Sequence, residues 1–160
     1  MPSWVWAVII LVVGGCICCP IGSAVLFPVF AQANVAAKRA ARLSETKSVG
    51  LYVVMYENDH NDKFPPFDST STVITVLAKY AKAGDQNVVL HMVNYEWNTE
   101  LSGKVASELT NANEVWVCKV STEDPRTVSI GFADGHAKNY KLENASAVFA
   151  VKPVFEKVKP

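Results

Sequence analysis

No Lys, Arg, Asp or Glu occurs before Lys38, which leaves one long uncharged stretch at the amino end. A bilayer's hydrocarbon core is about 30 Å thick and takes roughly 20 helical residues to cross. The run from Val5 to Phe30 is longer than that, so the sequence predicts a chain tethered to a membrane. An excess of one charge sign is also lacking, since 15 Lys plus Arg balance 15 Asp plus Glu. That balance argues against a nucleic-acid binder, which would show a basic excess in patches. Cysteine is scarce outside the apolar end: Cys16, Cys18 and Cys19 crowd within it, and Cys118 stands alone. A disulfide framework and a zinc site are both disfavoured, because no second ligand pair lies at a suitable spacing. The chain has no glycine-rich phosphate loop, no nucleophile elbow and no metal-ligand spacing, so no enzyme is expected.

The apolar end admits three readings. A cleaved secretory signal would carry a positive start and a shorter apolar core. Val13-Gly14-Gly15-Cys16 could be a lipid-attachment site, although the residues after Cys16 remain apolar where a polar tether would be needed. A retained spanning helix fits best, with Trp4 and Trp6 as aromatic anchors at one interface and Pro20 and Pro28 as kinks. Gly14, Gly15, Gly22, Ser23 and Ala24 would let such a helix pack against copies of itself. The flank that follows is basic through Lys38, Arg39, Arg42 and Lys47. Charge alone would place it in the cytoplasm.

No proline lies between Val29 and Phe64, so the helix should continue to about Glu57. Ala36, Ala40, Leu43, Leu51 and Val54 share its expected inner side, with Lys38, Arg42 and Glu45 opposite. Asn58-Asp59-His60-Asn61-Asp62-Lys63-Phe64-Pro65-Pro66 should end it. Asp68 to Ser71 offer caps for a short second helix that buries Val73, Val76, Leu77 and Tyr80 and stops at Gly84. Strands are then expected at 88–95, 115–120, 127–132 and 137–142, with a last one at 147–151. Asp134-Gly135 supplies the backbone freedom of a tight hairpin between two of them. The loop at 95–113 carries no clear signal. The expected organisation is a membrane half at 1–30, an amphipathic stem at 31–58 and a small head at 59–160, with stem and head forming one soluble unit.

The stretch LFPVFAQANVAAKRAARLSETKSVGLYVVMYENDHNDKFPP resembles the amino-terminal part of bacterial type IV pilin-like proteins, specifically the prepilin-type group with an H-x9-D-G signature. GFADGHAKNYKL is similar to the phrase near that family's end, carried here by Phe132, Ala133, Asp134, Gly135 and His136. The resemblance implies an α+β, pilin-like fold: a long amino-terminal transmembrane helix continuing into a stem, packed against a small antiparallel sheet with one short extra helix. It further implies a non-catalytic subunit of a type IV pilus or a type II secretion pseudopilus. Such a subunit would sit in a bacterial inner membrane as a single-pass protein, its head periplasmic or extracellular, and its partners would be the lipid bilayer and other pilin-like chains met through the amino-terminal helix. This orientation opposes the charge rule.

The departures are specific. Counting back from Pro28, the family's glycine before the prepilin cleavage site falls at Trp6, and its glutamate near the mature amino terminus falls at Leu11. The signature's histidine is Asp124, and a cysteine common in the stem is Arg42, so Cys118 is expected to be a reduced, half-buried strand residue. These differences suggest an unprocessed, membrane-retained relative. They keep two alternatives open: an anchored binding module that does not enter a filament, and a lipoprotein acylated at Cys16.

Two chemical readings remain. Glu57, Asn58, Asp59, Asn61 and Asp62 could offer oxygen ligands to calcium, with Asp59 and Asp62 as the candidates. The cluster lacks a calcium loop's ordered spacing and terminal glutamate, so a solvated turn without cofactor is expected. Asp134 with His136 could be an acid/base pair, and Cys118 with His91 a nucleophile and its base. The turn reading is preferred for Asp134-Gly135-His136, since a hairpin already accounts for those residues.

Overall fold

The computed structural model describes residues 2–156, with the side chains of residue 3 and residues 7–28 left out. Compactness divides the chain into two units, Met1–Ala37 and Lys38–Pro160.

The first element, α1 (Ser3–Asp59), is one helix of 57 residues. It passes through the positions of Pro20 and Pro28 and ends two residues beyond the expected Glu57. Its termination follows from residue type. The Asp62 N–H donates to the Glu57 carbonyl at 2.9 Å, and Asn61 and Asp62 both take a left-handed φ of 56°. Asn and Asp tolerate that conformation better than other residues with a side chain. Among the described residues no helix is long and apolar enough to cross a membrane. The side chains of Leu11, Pro20, Pro28 and Cys16, on which the membrane and lipoprotein expectations rest, lie outside the described residues.

In the second unit the chain continues through α2 (Thr70–Leu77), α3 (Gln86–His91), β1 (Glu96–Trp97), β2 (Trp116–Ser121), β3 (Thr127–Phe132), β4 (Ala137–Lys141) and α4 (Leu142–Phe149), with short 3-10 turns between some of them. The four strands form an antiparallel meander in the order β1-β2-β3-β4. The α+β class and the long first helix are therefore as expected. Three short α-helices accompany the sheet in place of one.

Ser69 caps α2, its hydroxyl accepting from the Thr72 N–H at 3.3 Å. Val73 and Leu77 are buried there, while Val76 and Tyr80 are only half-buried. Two expected strands are helices. Within 88–95, Met92 is buried and Val88 packs beside the same cluster, while Leu90 and Val93 are exposed. In a strand Leu90 would share the face of Val88 and Met92, so its exposure marks the turn as helical. At 142–149, Ala145 is buried and Val148 and Phe149 pack near it, again with the 3, 4 spacing of a helix.

The sheet separates two apolar clusters. Val128, Ile130 and Phe132 of β3 pack with Ala145 of α4 on one side. Alternation sends Ser129 and Gly131 to the other face, where a Cβ on Gly131 would stand 3.4 Å from the Thr46 methyl of α1. Small residues there let the helix come close. The inner face of the stem is accordingly Thr46, Val49, Gly50, Tyr52, Val53 and Glu57. The expected face is right only in part: Leu43 and Val54 are half-buried, with Val54 against Gly135, but Leu51 is 45% exposed, and Ala36 and Ala40 are exposed too. Hydropathy favours large apolar residues, whereas close packing against a backbone selects small ones.

Candidate functional site

The Asp134-Gly135 turn joins β3 to β4 as expected. The Gly135 N–H donates to the Phe132 carbonyl at 3.0 Å, the Phe132 N–H to the His136 carbonyl at 2.9 Å, and Gly135 has φ +84°. This is a three-residue hairpin loop closed by a left-handed glycine. Asp134 accepts from the His136 backbone N–H at 3.1 Å and also contacts the ring Nδ1. The His136 ring stacks on Phe132 with centroids 4.1 Å apart. Asp134 and His136 are thus engaged in holding the turn, and Ala133 is tied to β2's approach by donating to the Val115 carbonyl at 3.0 Å.

The tip of this turn rests on the stem. A Cβ added to Gly50 would lie 3.3 Å from the Gly135 carbonyl oxygen, and one added to Gly135 would lie 3.3 Å from a Val54 methyl. At the other end of β3, Arg39 Nη2 donates to Asp124 Oδ2 at 2.6 Å. Asp124 also accepts from the Arg126 N–H and the Thr127 hydroxyl, each at 3.1 Å. The backbone N–H of Arg126 contributes most to holding this carboxyl below its ordinary range, with Thr127 and Arg39 acting in the same sense. Arg39 and Gly50 are about 16 Å apart along a helix at 1.5 Å per residue. The six residues of β3 span about 20 Å. One strand is therefore fastened to one stretch of helix at both its ends.

The remaining candidates do not converge. Glu57 is buried at 8% exposure, and its Oε1 has no hydrogen-bond partner among the described residues. Desolvation first, and then the nearby Asp62 charge, push its carboxyl up to about 8. Asp59 is exposed at the end of α1, and Asp62 uses its main chain to close the turn, its carbonyl accepting from Ala106. Among the described residues no group of three His, Cys, Asp or Glu could hold a metal ion. Cys118 is fully buried on β2, not half-buried, and burial pushes its thiol up to about 12. His91 faces Glu45, its Nδ1 3.1 Å from Oε1, and so is engaged away from the thiol. A thiol so hard to ionise is a poor nucleophile.

Trp4 and Trp6 are exposed, at 67% and 61%. No family model matches this chain, and no curated protein and no solved structure matches it.

Proposed function

We propose that this chain is a non-catalytic, pilin-like structural protein of the bacterial cell envelope, anchored by its uncharged amino end and contributing to a type IV pilus or a type II secretion filament. The observation that carries the reading is the continuity of α1 from Ser3 to Asp59, with its carboxyl half fastened to an antiparallel meander at Arg39 and Gly50. A helix of this length far exceeds the globular mean of about 11–12 residues, and its first part needs lipid or neighbouring helices to cover it. The turn chemistry of Asp134 and His136 and the buried, protonated Cys118 suit a structural role.

A second reading is an anchored, pilin-fold binding module that stays out of filaments. Trp6 and Leu11 favour it, because a peptidase that cuts after glycine and a filament that registers subunits by a buried glutamate would both lack their handles. The test is to isolate the full chain from membranes after alkaline extraction, sequence its amino terminus and cross-link it in place. Retention with a ladder of oligomers supports the filament reading, and retention as a monomer starting at Met1 supports the module. Release into the alkaline supernatant sinks both.

A further inference from the structure

A cavity of about 770 Å³ lies beside the start of β3, the end of β4 and the amino end of α4. Its volume falls within the roughly 300–1,000 Å³ of small-molecule sites. We propose that this cavity binds a monoanionic phosphodiester through Arg126 and Lys141.

The antiparallel pairing of Thr127 with Lys141 brings Arg126 and Lys141 to the same end of the β3–β4 hairpin. The Leu142 N–H donates to the Arg126 carbonyl at 2.8 Å and closes that end. Arg39 and Asp124 also line the cavity, but they neutralise each other. Among the described residues neither Arg126 nor Lys141 has an ion-pair partner. Two cations, Arg126 in the turn before β3 and Lys141 on β4, thus stand together without a direct ion pair, although the Asp124 carboxylate feels the Arg126 charge as well as that of Arg39.

Two further donors lie at the same place. Asn139 accepts the Ser129 hydroxyl through Oδ1, which leaves its amide N–H groups without a partner among the described residues. Helix α4 starts here with Lys141 at its cap position and no side chain capping it, so first-turn N–H groups lack side-chain acceptors. The amino end of a helix also favours negative charge. Opposing these is Glu143, on the rim in the first turn of α4. Arg126 and Lys141 against Glu143 leave a net charge of one, which a single negative charge balances. A phosphodiester supplies that charge on two oxygens, one for each cation, and Tyr140 and Leu142 offer apolar surface to its ester arms.

Such a ligand could be a lipid head group or a soluble diester, and the experiment separates them. The full chain in neutral detergent micelles is titrated with glycerophosphoglycerol while the amide resonances of Arg126, Lys141 and Leu142 are followed. In a second arm it is placed in phosphatidylcholine nanodiscs with or without phosphatidylglycerol. A saturable shift with the free diester supports a soluble ligand, and a shift only with phosphatidylglycerol supports a head group. In either arm the exposed pair R126A/K141A weakens binding about tenfold or more at an unchanged melting temperature. Glu143→Gln tightens it roughly twofold. No saturable shift in either arm, undiminished binding by the double variant, or an equal response to neutral trimethyl phosphate overturns the proposal.

Discussion

The packed half of α1 is held in different ways at its two ends. From Lys38 to Arg42 the hold is ionic and wet: Lys38 lies 3.9 Å from Glu123, Arg39 2.6 Å from Asp124, and all four side chains keep contact with water. From Thr46 to Glu57 it is steric and dry, with Val49, Gly50, Tyr52 and Val53 buried and Gly50 against the backbone of Gly135. Exposed ion pairs add little and weaken with salt. A close-packed backbone contact cannot give way without moving whole elements. The dry end therefore fixes where the hairpin sits, and the wet end sets its direction along the helix.

The largest expected effect is at the dry end. A Cβ on Gly131 would stand only 2.8 Å from Cys118 Sγ, with the Thr46 methyl at 3.4 Å on another side. Gly131→Val should cost about 3 kcal/mol in urea unfolding, since neither neighbour can retreat from a packed interface. A loss under about 1 kcal/mol would mean that the sheet slides freely away from α1, and the contrast between the ends would fail.

Next comes Glu57, whose sign is opposite to that of a paired carboxylate. Its native value of about 8 stands above the ordinary 4.5, so the folded state holds the proton longer than the unfolded one. Its contribution is complete below about pH 4.5 and is lost as pH rises through 8. Between pH 4.5 and 7 the protein should lose roughly 2–3 kcal/mol through this group. Glu57→Gln keeps the shape without the charge and should flatten that slope. Equal slopes for the two proteins in melts across this range would place the titration elsewhere.

The contrast also marks what could be read from sequence. The dry end's hairpin was legible, because Asp134-Gly135 between two Val- and aromatic-rich runs has a local cause, and the end of α1 was legible from its Asn, Asp and Pro cluster. The face of the stem was legible only in part, because Gly50 and Thr46 carry no hydropathic signal and matter only once Gly135 and Gly131 are opposite them. The 88–95 and 147–151 runs were misread because short apolar stretches do not reveal their period. The link from Arg39 to Asp124 joins residues 85 apart, and nothing local announces it.

A third perturbation sharpens the dry end. Gly135 holds φ +84°, where any side chain is strained, and Gly135→Ala should cost about 1–2 kcal/mol. The Val54 methyl at 3.3 Å can rotate aside, so the loss should be smaller than for Gly131→Val. A loss as large as that of Gly131→Val would show that the turn, more than the strand, sets the fit.

The smallest effect belongs to Asp124→Asn. Its carboxyl is held below the ordinary range, so its contribution is present above that range and is lost as pH falls through the lowered value. The wet end therefore weakens in acid, where Glu57 makes the dry end strongest. Asparagine's single oxygen can still accept from the Arg126 N–H, and the Thr127 N–H still donates to the main-chain carbonyl of residue 124, so the turn before β3 should persist while the contacts of Oδ2 with the Thr127 hydroxyl and Arg39 go. Global melting should hardly move, and amide exchange at Arg126 and Thr127 should rise in low salt and match the parent protein in high salt. A variant that instead unfolded as readily as Gly131→Val would make Asp124 a structural centre in its own right. The stem would then be gripped equally hard at both ends.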